Sequence, residues 1–121
     1  NSPVRFNFGK NENIKKIAVI CGSGTSFISD VLKTDCDAFI TADATYHTFH
    51  RLKGKLSLFD IGHYEMEQFV PENLIQILNT LLENENVVLH LSNAHTNPIE
   101  YYPNIELKEK QINYLNNQKG L

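Results

Sequence analysis

Residues 56–67 read LSLFDIGHYEME, and the way this stretch is read decides the fold. LSLFDI is a short apolar run of strand length, ended by Gly62. From His63 to Glu83 the pattern is helical instead, with Leu74, Ile77, Leu78, Leu81 and Leu82 on one face. A strand giving way to a helix is half of a βα unit. His63 and Glu67 are four residues apart at the start of that helix, so they share one face and can point at one water, substrate or metal ion.

The same succession recurs upstream. IAVI (17–20) reads as a buried strand, followed by the turn CGSGTS and the amphipathic FISDVLK. AFIT (38–41) is the next strand and YHTFHRLKG the next helix, with Gly54 as its stop. VRFNF (4–8) alternates and suits a short edge strand. Downstream, Pro71 fits best as the first residue of a second helical piece, with a break near Phe69–Val70. VVLHLS (87–92) reads as a further buried strand and NAHTNP as a loop. The order β, three βα units, then β predicts an α/β layered sandwich. Its sheet is mostly parallel, four- to five-stranded, with right-handed crossovers. The expected domain covers 1–103, and the polar residues 104–121 form a tail of helical composition.

The chain has 121 residues, 41% apolar and 21% charged, which is ordinary for one soluble domain. A net charge of -3 without a Lys/Arg cluster argues against nucleic acid as a partner. No apolar run is long enough for a bilayer and no signal pattern opens the chain. Cys21 and Cys36 lie in separate segments, have no adjacent basic group, and read as small buried hydrophobes. The expected compartment is a reducing cytoplasm. The chain opens on NSPVRFNF without methionine, as a fragment, a processed product or a trimmed chain would.

Three groups of residues can carry chemistry. GSG (22–24) resembles part of a phosphate-binding turn, but it lacks the full glycine spacing and a P-loop lysine. A tight turn that uses glycine to relieve strain is the plainer reading. Asp43, Tyr46 and His47 follow the second buried strand, where open α/β sheets bind ligands. Asp43 reads equally well as a helix N-cap, and of His47 and His50 one is expected to face the site and the other solvent. His63 and Glu67 also follow a strand, and a histidine with a carboxylate suits Zn²⁺, Mn²⁺ or Fe²⁺. By pattern alone, a helix-start histidine with a solvated glutamate is the commoner arrangement, and two ligands do not complete a site. His90 reads as a core or edge residue and His95 as a loop residue of no defined role.

Four blocks, IAVICGSGTSFI, DAFITADATYH, DIGHYEMEQF and TNPIEYY, in this order and spacing, resemble the C-terminal half of the Nif-three-like dinuclear-metal family. Its members are often labelled GTP cyclohydrolase I type 2 homologues. The resemblance runs from about Ile14 to Tyr102 and implies one lobe of a two-lobed fold that holds a metal pair between the lobes. It makes His63 and Glu67 metal ligands, and places Asp43, Tyr46 and His47 beside them as substrate or ligand-supporting candidates. The implied cofactors are two divalent ions (zinc, manganese or iron). The implied partners are the N-terminal lobe of the same polypeptide and further copies in a homo-oligomer, commonly a hexameric ring. The implied activity is metal-dependent hydrolysis of the GTP cyclohydrolase type 2 kind. The alternative is a non-catalytic metal-binding or regulatory assembly protein, and in either case this chain alone is expected to be inactive. The departures are Cys21 for a glycine, Ala42 for the glycine before Asp43, Met66 for a serine, and the lack of any His-His pair.

Overall fold

Four short strands carry the architecture. A computed structural model describes residues 3–101, so the expected tail over 104–121 lies outside the described residues. β1 (Arg5–Asn7), β2 (Ile17–Val19), β3 (Ala38–Thr41) and β4 (Ser57–Asp60) form one sheet in the order β1-β4-β3-β2. β2 with β3 and β3 with β4 are parallel, and β1 lies antiparallel on β4. The sheet is therefore mixed but mostly parallel, and the α/β class expected from the sequence is the class observed.

Both crossovers step the same way along the sheet, from β2 to β3 to β4. Right-handed connections then put α1 (Ile28–Val31) and α2 (Tyr46–Leu52) on the same face. The register sets Ala18, Phe39 and Leu58 side by side beneath them. Phe39 and Leu58 are completely buried against Ile28, Val31 and Leu52. Each such side chain contributes about 1.5–3 kcal/mol by leaving water. On the opposite face Ala38 and Ser57 are buried at the centre, and the β2 edge is open. Ile17 and Val19, read from the sequence as fully buried, are 51% and 60% exposed, because β2 is an edge strand with one covered face.

α2 ends at Leu52, and Gly54, at φ +73°, turns the chain so that its N–H reaches the Phe8 carbonyl. The long helical segment breaks where expected, into α3 (His63–Glu67) and α4 (Val70–Leu81). Pro71 is the second residue of α4 rather than the first, and its missing N–H is still harmless there. The apolar stripe of α4 exists but is not buried among the described residues, with Leu74, Ile77 and Leu81 all exposed. The strand expected over 87–92 does not form. Val87 and Val88 are exposed, and no described strand lies beside them to complete a hydrogen-bonded ladder. Among the described residues no helix is long and apolar enough to cross a membrane.

Candidate functional site

The parallel strands end together, so the turns after β2, β3 and β4 meet at one edge of the sheet. Asp60 ties them. It closes β4, is 4% exposed, and accepts hydrogen bonds from the N–H groups of Ala44 (2.9 Å) and Gly62 (3.2 Å). It also pairs with Arg5 on β1. One carboxylate thereby sets the turn that carries Asp43 against the turn that starts α3.

α3 begins at His63, and its first turn places His63 Nε2 3.2 Å from Glu67 Oε1. The other ring nitrogen, Nδ1, lies 2.6 Å from Asp43 Oδ2. A carboxylate only accepts, so Nδ1 carries the proton and Nε2 is directed at Glu67. Asp43 is therefore not the N-cap of α2. Thr45 is, its hydroxyl accepting from the Thr48 N–H. Asp43 holds φ +57°, a left-handed conformation that aspartate tolerates better than most residues.

Gly22 forms the floor of the pair. Its φ is +66°, and a Cβ there would stand 2.6 Å from Glu67 Oε1 and 3.2 Å from His63 Nε2. The turn is held by buried Thr41, whose hydroxyl donates to the Gly22 carbonyl (2.9 Å) and accepts the Gly24 N–H (2.8 Å). These internal bonds, and the very short helix that follows, make 22–24 a supporting turn rather than a phosphate cradle. Cys21, expected to be buried, is exposed, because it sits on the rim of this turn with its thiol 3.5 Å from the Met66 carbonyl. Cys36 is half-buried against the core. The ring of Tyr46 lies beside those of His47 and His50, and both histidines are exposed. Of the three candidates after β3, the structure brings Asp43 onto His63.

The hydrogen bond that His63 donates to the Asp43 carboxylate, with the negative charge of Glu67 adding to it, holds the pKa of the imidazole above its ordinary value of 6.5. A raised folded value means that protonated His63 favours the fold fully below about pH 6.5, and that this is lost as pH rises through the folded value. The side chain is 44% exposed, so the effect on stability is small and the titration itself is the better readout. An NMR titration should give a His63 midpoint above 6.5 that falls in Asp43→Asn, with the fold kept because asparagine also tolerates positive φ. An unchanged midpoint would show that Asp43 does not govern this ring.

The donor set fits a divalent cation. Two corners of a tetrahedral zinc site stand about 3.4 Å apart for bonds of about 2.1 Å, close to the Nε2–Oε1 separation. An imidazole whose far nitrogen is held by a carboxylate is a recurrent form of metal ligand. His63 and Glu67 are two ligands, however, and no group of three potential ligands converges among the described residues.

A family model of Duf34/NIF3 (NGG1p interacting factor 3) matches residues 1–98. The chain belongs to this family. The GTP cyclohydrolase 1 type 2 homologs of Clostridium perfringens and Campylobacter jejuni are similar to it, at 43% and 35% identity over 53% and 75% of this chain. The matches cover 25% and 35% of those proteins, so the chain spans about a quarter to a third of the curated relatives it resembles. In three dimensions it resembles the crystal structure of Staphylococcus aureus protein SA1388, with a TM-score of 0.73 at 32% identity. That likeness covers 82% of this chain and 33% of the other. Three features of this NIF3-family chain escape sequence reading. Asp60 looks like a polar strand end, Gly22 like an ordinary turn glycine, and His95 is 31 positions from the Tyr64 hydroxyl that it meets.

Proposed function

We propose that this chain supplies one wall, His63 and Glu67, of a divalent-metal centre in a larger NIF3-family polypeptide. The remaining ligands come from the N-terminal lobe of that polypeptide, and the complete centre, with two ions of zinc, manganese or iron, serves a hydrolase of the GTP cyclohydrolase 1 type 2 kind. The observation that carries this reading is the line Asp43–His63–Glu67, built over a glycine that leaves room at its far end. When bound, the ions would supply Lewis acidity for activating water. The chain's own residues do the rest. Asp43 keeps the proton on Nδ1 and so presents Nε2, Glu67 brings negative charge to the same point, and Gly22 keeps both free to converge. The reading extends to a homo-oligomer, whose contacts the exposed apolar residues of α4 and of β1, among them Leu74, Ile77 and Phe6, are suited to fill.

The test is metal titration with an activity assay on the same samples. The 121-residue chain should show no tight Zn²⁺ or Mn²⁺ site and no GTP turnover, since two ligands leave most positions to water. A polypeptide carrying both lobes should bind metal and lose both metal and turnover in His63→Ala and Glu67→Gln. Full metal content in both variants would sink the proposal, and so would metal-dependent turnover by the short chain alone.

A further inference from the structure

The end of the sheet opposite His63 and Glu67 carries a smaller cavity of about 240 Å³. It lies where the chain leaves α1 and α2 to enter β3 and β4. Its apolar wall is Val31, Leu32 and Leu56. Val31 and Leu56 belong to the core, whereas Leu32 is 44% exposed. Lys10 and Lys55, both exposed, are the charged residues of the lining. Local bonds fix this shape. The Thr34 hydroxyl donates to the Val31 carbonyl (2.6 Å) and accepts the Cys36 N–H (3.3 Å). The Gly9 N–H donates to Ser57 Oγ (2.9 Å) and so holds the segment leading to Lys10 against β4.

The charge here is unbalanced. The carboxylates of the neighbouring segment are engaged elsewhere: Asp30 pairs with Lys33, Asp35 pairs with Lys16, and Asp37 accepts the N–H groups of Lys15 and Lys16. Among the described residues no carboxylate pairs with Lys10 or Lys55, and no acid lines the cavity. Two cations beside an apolar pocket too small for a drug-sized molecule select a small anion with an apolar body. A fully hydrated anion leaves the apolar wall unfilled, and an uncharged alkyl compound leaves the lysines unpaired. We propose that this cavity binds a short-chain aliphatic monocarboxylate, with its carboxylate toward Lys10 and Lys55 and its alkyl chain on Val31, Leu32 and Leu56. The site is separate from His63 and Glu67, and neither reading depends on the other.

The test adds hexanoate, hexanol or inorganic phosphate to the 121-residue chain, with the side-chain methyl groups followed by NMR. Hexanoate should move the Val31, Leu32 and Leu56 signals and leave those of Leu74 and Ile77 on α4 in place. From propionate to hexanoate, affinity should rise about fourfold per methylene, the scale of one buried CH₂. Lys10→Met and Lys55→Met keep the apolar stem at an exposed position and so keep the fold. Each should weaken hexanoate about threefold, the scale of one exposed ion pair, and leave hexanol unaffected. Hexanol, which engages neither lysine, should bind the parent chain about tenfold more weakly than hexanoate. Phosphate at equal concentration should not displace hexanoate. Equal binding of hexanol and hexanoate, displacement by phosphate, or no methyl response to hexanoate would each overturn the proposal. So would an equal response at the α4 methyl groups or at the His63 ring.

Discussion

Replacing Asp60 by alanine should destabilise the chain by about 3 kcal/mol, the largest stability effect expected of a single polar side chain here. The estimate follows from what its carboxylate accepts. The Ala44 N–H is buried and would be left without a partner, which costs about 1–3 kcal/mol, and a hydrogen bond to a charged acceptor is itself worth about 1.5–3 kcal/mol. The Arg5 ion pair adds little, because the arginine side chain is 60% exposed. In a domain of this size the midpoint of thermal unfolding should fall by roughly 12–24 °C. Arg5→Ala is the control and should cost less than about 1 kcal/mol. Asp60→Asn keeps one acceptor oxygen and should fall between the two. Equal losses in Asp60→Ala and Arg5→Ala would mean that the carboxylate serves only the surface pair and does not hold the turns together.

Gly22→Ala should separate folding from metal binding. The left-handed backbone costs a residue with a Cβ about 1–2 kcal/mol, so the variant should fold with a modest loss of stability. The new methyl group meets the far end of Glu67, a side chain that can swing aside. The fold accommodates that movement, but the convergence of Oε1 on Nε2 does not survive it. In a polypeptide carrying both lobes, metal affinity should drop about 10–100-fold, the scale seen when the support of a metal ligand is removed. Gly54→Ala is the matched control. It carries a similar φ of +73° with nothing within 4 Å of the added carbon, so it should lose comparable stability and no metal. Equal metal content in the two variants would remove Gly22 from the site.

Much of the fold is legible along the chain. The βα alternation, the break before Pro71, the stop at Gly54 and the shared face of His63 and Glu67 are all found where the sequence puts them. Each depends on residues within a few positions of one another, through side-chain periodicity or backbone conformation. The errors have a different character. The run 87–92 has the composition of a buried strand, but a strand exists only beside a partner, and composition names no partner. Ile17 and Val19 fail for the same reason, since an apolar run does not say whether its strand is central or at an edge. Cys21 is exposed because the turn that carries it faces outward, which the apolar character of cysteine cannot reveal.

The sequence by itself determined the class of fold, the family blocks and the i, i+4 pair at the head of α3, because all three are written in local order and spacing. Only the tertiary structure decided what surrounds that pair. Asp43 is 20 residues from His63, Gly22 is 45 from Glu67, and Asp60 is 55 from Arg5. These contacts depend on which strands lie side by side and where they end. Strand order is settled by the burial of Phe39 and Leu58 under two helices on one face, and no single segment of the chain encodes it.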